Sequence, residues 1–230
     1  SPAAVLHKAS QQSLYPDTTY GVDSGGDPKA IPQLTYEQFK AFHQRYYHPS
    51  NARIVFYGDD DPEQRLAILE SYLSQFERSE VDPQVPLQQR FPAPRTVNQY
   101  YAASPAEGNK RTGMVTVNWM LEESLDAATM LRLGLLEHVL LGTTASPLRK
   151  ALTDSGLGEG LTGSGIADDL RQPMFTVGLK GIEEEDGPKV EALVLETLER
   201  LAREGIDKQT IEASVNTIEF ALREPNTGPF

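Results

Sequence analysis

The sequence predicts an α+β fold, with strands and helices on both sides of a proline-rich segment. Two segments have the composition of strands: the apolar run at residues 53–57, and residues 114–119, where apolar and polar residues alternate. Residues 36–47 instead repeat aromatic side chains at helical spacing. Prolines recur over residues 81–94 without periodicity, which is typical of a linker. Strand–helix pairs on either side of a linker indicate layered α+β architecture.

Start and stop signals define the helices before the linker. A first helix is expected within residues 1–13. Thr35 and Gln38 have the spacing of a capping box, and the helix that follows should end before Pro49, because the residue before proline avoids the α region. Asp61 and Pro62 are suited to the first turn of the next helix.

Beyond the linker the same reasoning predicts alternating strands and helices. Ser146-Pro147 should begin a helix that Gly156 ends, and the glycine-rich residues 158–165 are expected to form a loop. The other predicted strands are residues 96–102, 114–119 and 174–180, and the other predicted helices are residues 125–141, 188–203 and 207–223.

Composition limits the classes of function. The net charge of −12 argues against nucleic-acid binding and against an anionic membrane surface, both of which need clustered Lys and Arg. It suits a protein that handles basic peptides, and equally one whose charge only confers solubility. The chain has no cysteine, so disulfides and thiolate metal sites are excluded. No apolar run approaches the roughly 20 residues of a membrane span, and the first ten residues lack the features of a signal peptide.

Three short motifs are candidates for chemical sites. Glu137 and His138 are adjacent, so on a helix they point about 100° apart and cannot face one metal together; a capping or core-edge histidine fits better. The glycines of residues 156–165 lack both the Gly-Lys-Ser/Thr signature and the strand–loop–helix context of a phosphate loop. The acidic residues 183–186 precede a helix and suit its N-terminus, or alternatively a cation or basic peptide.

Several longer phrases resemble those of one peptidase family. The loop GVDSGGDP at residues 21–28 and the phrase YYHPSNA at residues 46–52 resemble the presequence proteases, zinc peptidases of the pitrilysin/insulinase-like M16 family, subfamily C. The resemblance continues in LGLLEHVLLGT at residues 133–143, ASPLRK at residues 145–150 and EASVNTIEFALRE at residues 212–224.

The resemblance implies a fold of layered α/β units, each with a mainly antiparallel sheet and helices on one face. Residues 1–80 would be the C-terminal part of a first unit, residues 81–95 a Pro-rich linker, and residues 96–230 the N-terminal part of a second unit.

The resemblance also implies that the zinc ligands and the catalytic base lie outside this chain. The zinc-binding motif His-x-x-Glu-His of the family is absent from this sequence. The resemblance thus implies a zinc-dependent parent enzyme, and a chain that by itself has no catalytic residue, no metal ligand and no bound zinc. Within the parent it would form part of the wall of the closed chamber in which peptides are degraded, with Arg149, Gly163, Ser164 and Gly165 as candidate peptide contacts. Alternatively, the glycines only form a loop that connects two elements.

The expected partners are targeting peptides and the remaining M16 units, with no nucleic acid and no membrane. The resemblance alone implies a soluble protein of the chloroplast stroma, the mitochondrial matrix or both. A stand-alone peptide-binding or assembly module derived from the family is the alternative, and a structural domain without a ligand is a third reading. A gene that starts near Ser1 and stops after Phe230 would favour the stand-alone module.

Overall fold

The computed structural model describes residues 1–102, 111–123 and 126–224. Contacts divide the chain into two compact units: unit 1 comprises Ser1–Val22 and Leu87–Phe230, and unit 2 comprises Asp23–Pro86. The predicted boundaries at residues 80 and 95 concern units of a longer protein, and they stay a prediction.

Seven α-helices and three β-strands follow one another along the described residues, apart from short 3-10 turns. In chain order they are α1 (Pro2–Leu14), α2 (Tyr36–Tyr46), α3 (Pro62–Leu73), β1 (Gly113–Met120), α4 (Ala127–Glu137), α5 (Pro147–Asp154), β2 (Gly160–Ala167), β3 (Met174–Ile182), α6 (Gly187–Glu204) and α7 (Lys208–Arg223). A π turn, His138–Gly142, continues α4. No helix among the described residues is long and apolar enough to cross a membrane.

The sheet of unit 1 is antiparallel, and its strands lie in the order β1-β3-β2. The central strand β3 is the most buried, as expected for a strand with partners on both sides. One face of the sheet packs against α5 and α6 to form the main core. The buried members of this core are Leu140, Leu148, Leu152, Val177, Leu179, Ile182, Val190, Val194 and Leu201. The predicted α+β class is thus confirmed.

Helix α1 lies against the other face of β1. Val115 and Val117 pack into the main core, so Thr116 between them points to the opposite face. There its hydroxyl oxygen is 3.2 Å from that of Ser10 in α1. At the end of α1, the buried Tyr15 hydroxyl donates to the carbonyl of Gln172 at 2.6 Å. Helices therefore pack on both faces of the sheet, with α5 and α6 on one face and α1 on the other.

The second half of the predicted linker is fixed to unit 1. Residues 81–95 contain no helix or strand, in agreement with the proline pattern. Gln88 is nevertheless buried: its N–H donates to the Gln172 Oε1 at 2.6 Å, and its Nε2 donates to the Asp17 carboxylate at 2.7 Å. These bonds explain why unit 1 resumes at Leu87.

Local helix signals are confirmed. The Thr35 hydroxyl accepts from the Gln38 N–H at 3.2 Å, and the Gln38 side chain accepts from the Thr35 N–H at 2.9 Å. Asp61 caps α3, and Asp207 caps α7. Helix α5 begins at Pro147 and ends at Asp154, as its Ser-Pro start and Gly156 stop predict.

Three strand and loop predictions are wrong. The sequence predicts a loop at residues 158–165, but residues 160–165 belong to β2, which hydrogen-bonds to β3. Residues 53–57 and residues 96–102 form no strand, although both have strand-like composition. A strand requires a neighbour to pair with, and the described residues provide none beside these two segments.

Unit 2 exposes an unusual number of large apolar side chains. Val55 is 87% exposed, and Tyr57 is fully exposed. None of the residues in α2 or α3 is buried. The exposed apolar side chains of unit 2 are Ile31, Leu34, Tyr36, Phe39, Phe42, Tyr47, Ile54, Val55, Phe56, Tyr57, Leu66, Ile68, Tyr72 and Phe76.

Candidate functional site

A bulge in β2 contains two of the four predicted contact residues, Gly163 and Ser164, and a third, Gly165, directly follows it. The pairing between β2 and β3 shifts register between Thr162 and Gly165, so Gly163 and Ser164 of β2 lie opposite the single residue Val177 of β3. Both are exposed at the surface. Gly163 has φ +98°, and a Cβ there would lie 2.6 Å from the Thr176 carbonyl oxygen, so only glycine fits.

Thr176 holds the bulge in place. Its hydroxyl oxygen accepts from the Ser164 N–H at 2.7 Å and lies 3.0 Å from the Ser164 hydroxyl oxygen. Thr176 is itself buried, on the central strand β3. The side-chain hydroxyl thus satisfies a backbone donor that the register shift removes from the regular ladder.

Glu137 closes the outer edge of β2. It is the last residue of α4, and its carboxylate accepts a hydrogen bond from the Ile166 N–H. A Cβ on Gly165 would lie only 1.9 Å from the Glu137 Oε1, so the carboxylate fills the space beside this glycine. Partial burial raises the pKa of the Glu137 carboxyl; the Ile166 bond and His138 oppose that shift, while Asp168 adds to it.

Arg149, the fourth predicted contact residue, lies on α5 and is bound to the π turn. Its Nη1 donates to the Leu141 carbonyl at 3.2 Å, which satisfies one of the free carbonyls at the end of the turn. No hydrogen bond or ion pair among the described residues links Arg149 to the bulge. A peptide contact by any of the four residues stays a prediction.

The described residues around the π turn do not form a zinc site. The π turn places the His138 Nδ1 in a buried position, and no hydrogen-bond partner for it lies among the described residues. Gly142 lies against its ring: a Cβ there would be 2.5 Å from the ring carbon Cδ2. Zinc sites use three or four protein ligands, and within residues 1–102, 111–123 and 126–224 no three His, Cys, Asp or Glu side chains form such a group.

Sequence reasoning misses two of the residues that shape this site. It assigns Thr176 only to a strand, and it considers Glu137 only as a partner of His138. Both act on β2 across gaps in the chain, from β3 and from α4. The spacing Gly163-Ser164-Gly165 is the available signal, since glycines flanking a small polar residue are typical of a bulge as well as of a loop.

Comparison with known proteins identifies the family. The model of the peptidase M16 inactive domain matches residues 33–218. The chain is 54% identical to presequence protease 1, chloroplastic/mitochondrial, of Arabidopsis thaliana, over its whole length but only 22% of that protein. It is 40% identical to the mitochondrial presequence protease of Mus musculus, with 93% of the chain and 21% of that protein aligned. The chain therefore spans about a fifth of the length of these curated relatives.

Solved structures share the fold. A peptidase M16 inactive domain from Pseudomonas fluorescens aligns with a TM-score of 0.71 at 17% identity, over 97% of this chain and 52% of that one. A putative M16-like peptidase from Alicyclobacillus acidocaldarius aligns with a TM-score of 0.62, also at 17% identity, over 97% of this chain and 53% of that one. At this identity the likeness concerns the fold alone. Together with the family match and the sequence identities, it leads to one conclusion: the chain belongs to the M16 peptidase family.

Proposed function

We propose that this chain is a non-catalytic, chamber-wall part of a zinc metalloendopeptidase that degrades cleaved targeting peptides and other short unstructured peptides. Membership of the M16 family, relatives named presequence proteases and the match to an inactive-domain model support this assignment. The zinc site and the catalytic base would belong to the part of the enzyme outside this chain. The chloroplast stroma or the mitochondrial matrix is the proposed location, from the names of the relatives.

The exposed apolar surface of unit 2 is the observation that carries the proposal. Monomeric proteins rarely leave large contiguous apolar surfaces in water. Helices α2 and α3 bury no residue, and the strand-like residues 53–57 have no strand beside them among the described residues. Burying an exposed valine or phenylalanine stabilises a protein by about 1.5–3 kcal/mol. Unit 2 therefore gains most from a partner that covers these side chains, and the remaining M16 units are the proposed partner.

The same observation argues against a stand-alone module that only binds peptides, whereas an assembly module that docks onto other M16 units would also cover this surface. A module that functions alone would need its own cover for residues 53–57. A peptide ligand is too small to cover α2, α3 and this segment together.

Peptide contact is proposed for the bulge and for Arg149. Gly163 and Ser164 are exposed, so an extended peptide can reach this part of β2, although the Ser164 N–H is already bonded to Thr176. The net charge of −12 favours the approach of basic peptides, such as many targeting sequences. In this proposal the chain contributes binding surface and exclusion of bulk water, and no proton transfer.

A cleavage assay tests the proposal. The purified chain is incubated with a basic targeting-type peptide, with stoichiometric zinc or with a chelator, and a full-length presequence protease serves as the positive control. Only the full-length enzyme is expected to cleave the peptide, and only with zinc. Zinc-dependent cleavage by the chain alone, abolished by the chelator, would show that the chain holds a metal site and that the proposal is wrong.

A further inference from the structure

Unit 2 contains a polar cavity that differs from its exposed apolar surface. The cavity is open to solvent and has a volume of about 740 Å³, within the range of about 300–1,000 Å³ that is usual for ligand clefts. It is lined by the end of α2, by the turn Pro49–Asn51 and by the segment after α3. Among its lining residues only Val81 is apolar, and the others are Arg45, Ser50, Arg78, Ser79, Glu80 and Asp82. These residues define what is called here the arginine cavity.

Hydrogen bonds and ring packing join the two walls of the arginine cavity. The Ser79 N–H donates to the Ser50 hydroxyl oxygen at 3.0 Å, which links the segment after α3 to the turn after α2. At the start of that turn, the His48 Nδ1 accepts from the Ser50 N–H at 3.2 Å. The His48 ring packs edge-on against Phe76, with ring centroids 5.5 Å apart. The cavity therefore belongs to the packed part of unit 2.

Four donor groups on this cavity have no acceptor among the described residues. The guanidinium groups of Arg45 and Arg78 form no ion pair and no hydrogen bond there, and Arg45 lies over the Tyr46 ring, 5.1 Å from its centroid. The Ser50 oxygen accepts the Ser79 N–H, so its own O–H is free to donate, and the Ser79 O–H is equally free. Guanidinium and hydroxyl donors suit a carboxylate, because one guanidinium can bind both carboxylate oxygens at once.

The two carboxylates on the same lining decide which anion fits. A phosphate dianion would be repelled by Glu80 and Asp82, whereas a peptide with one carboxylate beside a basic side chain has a partner for each of its charges. Asp82 already accepts from the Gln84 N–H at 3.1 Å. Glu80 accepts no hydrogen bond among the described residues, so it is the free partner for a basic side chain.

We propose that the arginine cavity binds the carboxylate of a peptide through the guanidinium groups of Arg45 and Arg78. The hydroxyl groups of Ser50 and Ser79 are further donors to it, and Glu80 binds a basic side chain of the same peptide. A C-terminal carboxylate and an acidic side chain share this chemistry. The inference rests on the proposed function in that the ligand is a peptide, but the cavity belongs to unit 2, and its contacts do not include the bulge of unit 1.

Fluorescence anisotropy with three labelled peptides tests the proposal. Each peptide consists of glycine and serine with one arginine next to the C-terminus. The first ends in a free carboxylate, the second ends in an amide, and the third ends in an amide but contains one aspartate. The first peptide should bind the wild-type chain at least about tenfold more tightly than the second, because the amide lacks the charge that the guanidinium groups bind.

The third peptide identifies the source of the carboxylate. Binding as tight as that of the first peptide would support the proposal with an acidic side chain as the ligand. Binding as weak as that of the second would support it with the C-terminus as the ligand.

Three variants with the same change of charge locate the site. Arg45→Gln and Arg78→Gln should each weaken binding of the first peptide about tenfold. Arg53→Gln is the matched control, since Arg53 is an exposed arginine of unit 2 that does not line the cavity, and it should leave the affinity unchanged.

Three results would overturn the proposal. Equal binding of all three peptides by the wild-type chain is the first, and this comparison does not depend on the folding of any variant. Equal loss of affinity in all three arginine variants is the second, because it would show a general effect of charge. Displacement of the first peptide by equimolar inorganic phosphate is the third, because it would show a site for inorganic anions. Peptide binding is measured without cleavage, so its failure is distinguishable from failure of the proposed function in the cleavage assay.

Discussion

Gly156 and Gly165 form a matched pair of positions for testing the bulge. Both have φ +65°, a conformation that disfavours any residue with a Cβ. Their surroundings differ: a Cβ on Gly165 would lie 1.9 Å from the Glu137 Oε1, whereas a Cβ on Gly156 would meet nothing within 4 Å. Replacing each glycine by alanine therefore separates backbone strain, which both variants share, from the clash with Glu137, which only Gly165→Ala creates.

The expected magnitudes follow from these contacts. Each alanine costs about 1–2 kcal/mol for the left-handed backbone. In Gly165→Ala the flexible end of Glu137 must also move away from β2, which weakens its interaction with the Ile166 N–H; a typical hydrogen bond contributes about 0.5–1.5 kcal/mol net. Gly165→Ala should therefore destabilise unit 1 by about 1 kcal/mol more than Gly156→Ala does.

Urea unfolding measures this difference. Trp119, the single tryptophan, lies in β1 beside Phe175, so its fluorescence reports unfolding of unit 1. The measurement is repeated in a Glu137→Ala background, where the clash is absent and the two glycine variants should agree within about 0.5 kcal/mol. Equal destabilisation with Glu137 present, or a difference that persists without it, would refute the assigned contact between Glu137 and the bulge.

Three further predictions concern single side chains. Thr35→Ala removes the cap of α2 and should destabilise that helix by about 0.5–2 kcal/mol, seen as faster hydrogen exchange there; unchanged exchange would contradict the capping box. Burial raises the pKa of Glu137 above 4.5, so its contribution to stability is full below pH 4.5 and is lost as the pH rises through the raised pKa. In urea unfolding, the wild type should therefore lose stability relative to Glu137→Gln as the pH rises from acid to neutral. The opposite trend would contradict a partly buried Glu137 carboxyl with a raised pKa. Leu148→Ala should cost about 2–5 kcal/mol, since Leu148 is fully buried in the main core, and a change below about 1 kcal/mol would contradict that packing.

The sequence is a reliable guide where structure depends on near neighbours. Helix α2 begins at its capping box, and α5 begins at Pro147, because caps and proline act within one turn. The helices α6 and α7 agree with their predicted ranges to within one or two residues.

Strands are harder to predict because their partners are distant in the chain. The glycines of β2 resemble a loop locally, yet the ladder with β3 and the Thr176 hydroxyl make the segment a strand. Residues 53–57 show the opposite error, since their composition favours a strand but the described residues provide no strand beside them. In both cases pairing decides the structure, and local composition does not.

The candidate site is predictable only in part. The choice of Gly163, Ser164 and Gly165 rests on resemblance and on glycine content, and the structure places the first two in one bulge and the third directly after it. Neither source could reveal that Glu137 lies over Gly165, because that contact depends on the packing of α4 beside β2.

Complementation tests the central claim most directly, namely that this chain is a scaffold part completed by other M16 units. Peptide cleavage is measured with zinc after mixing the chain with the remaining M16 units of a presequence protease. The wild-type chain is compared with the variant Val55→Lys/Tyr57→Lys, whose changes lie at exposed positions and should leave the chain folded. The account predicts recovery of cleavage with the wild type and its loss with the variant. Equal recovery with both, or cleavage by the chain alone, would contradict it.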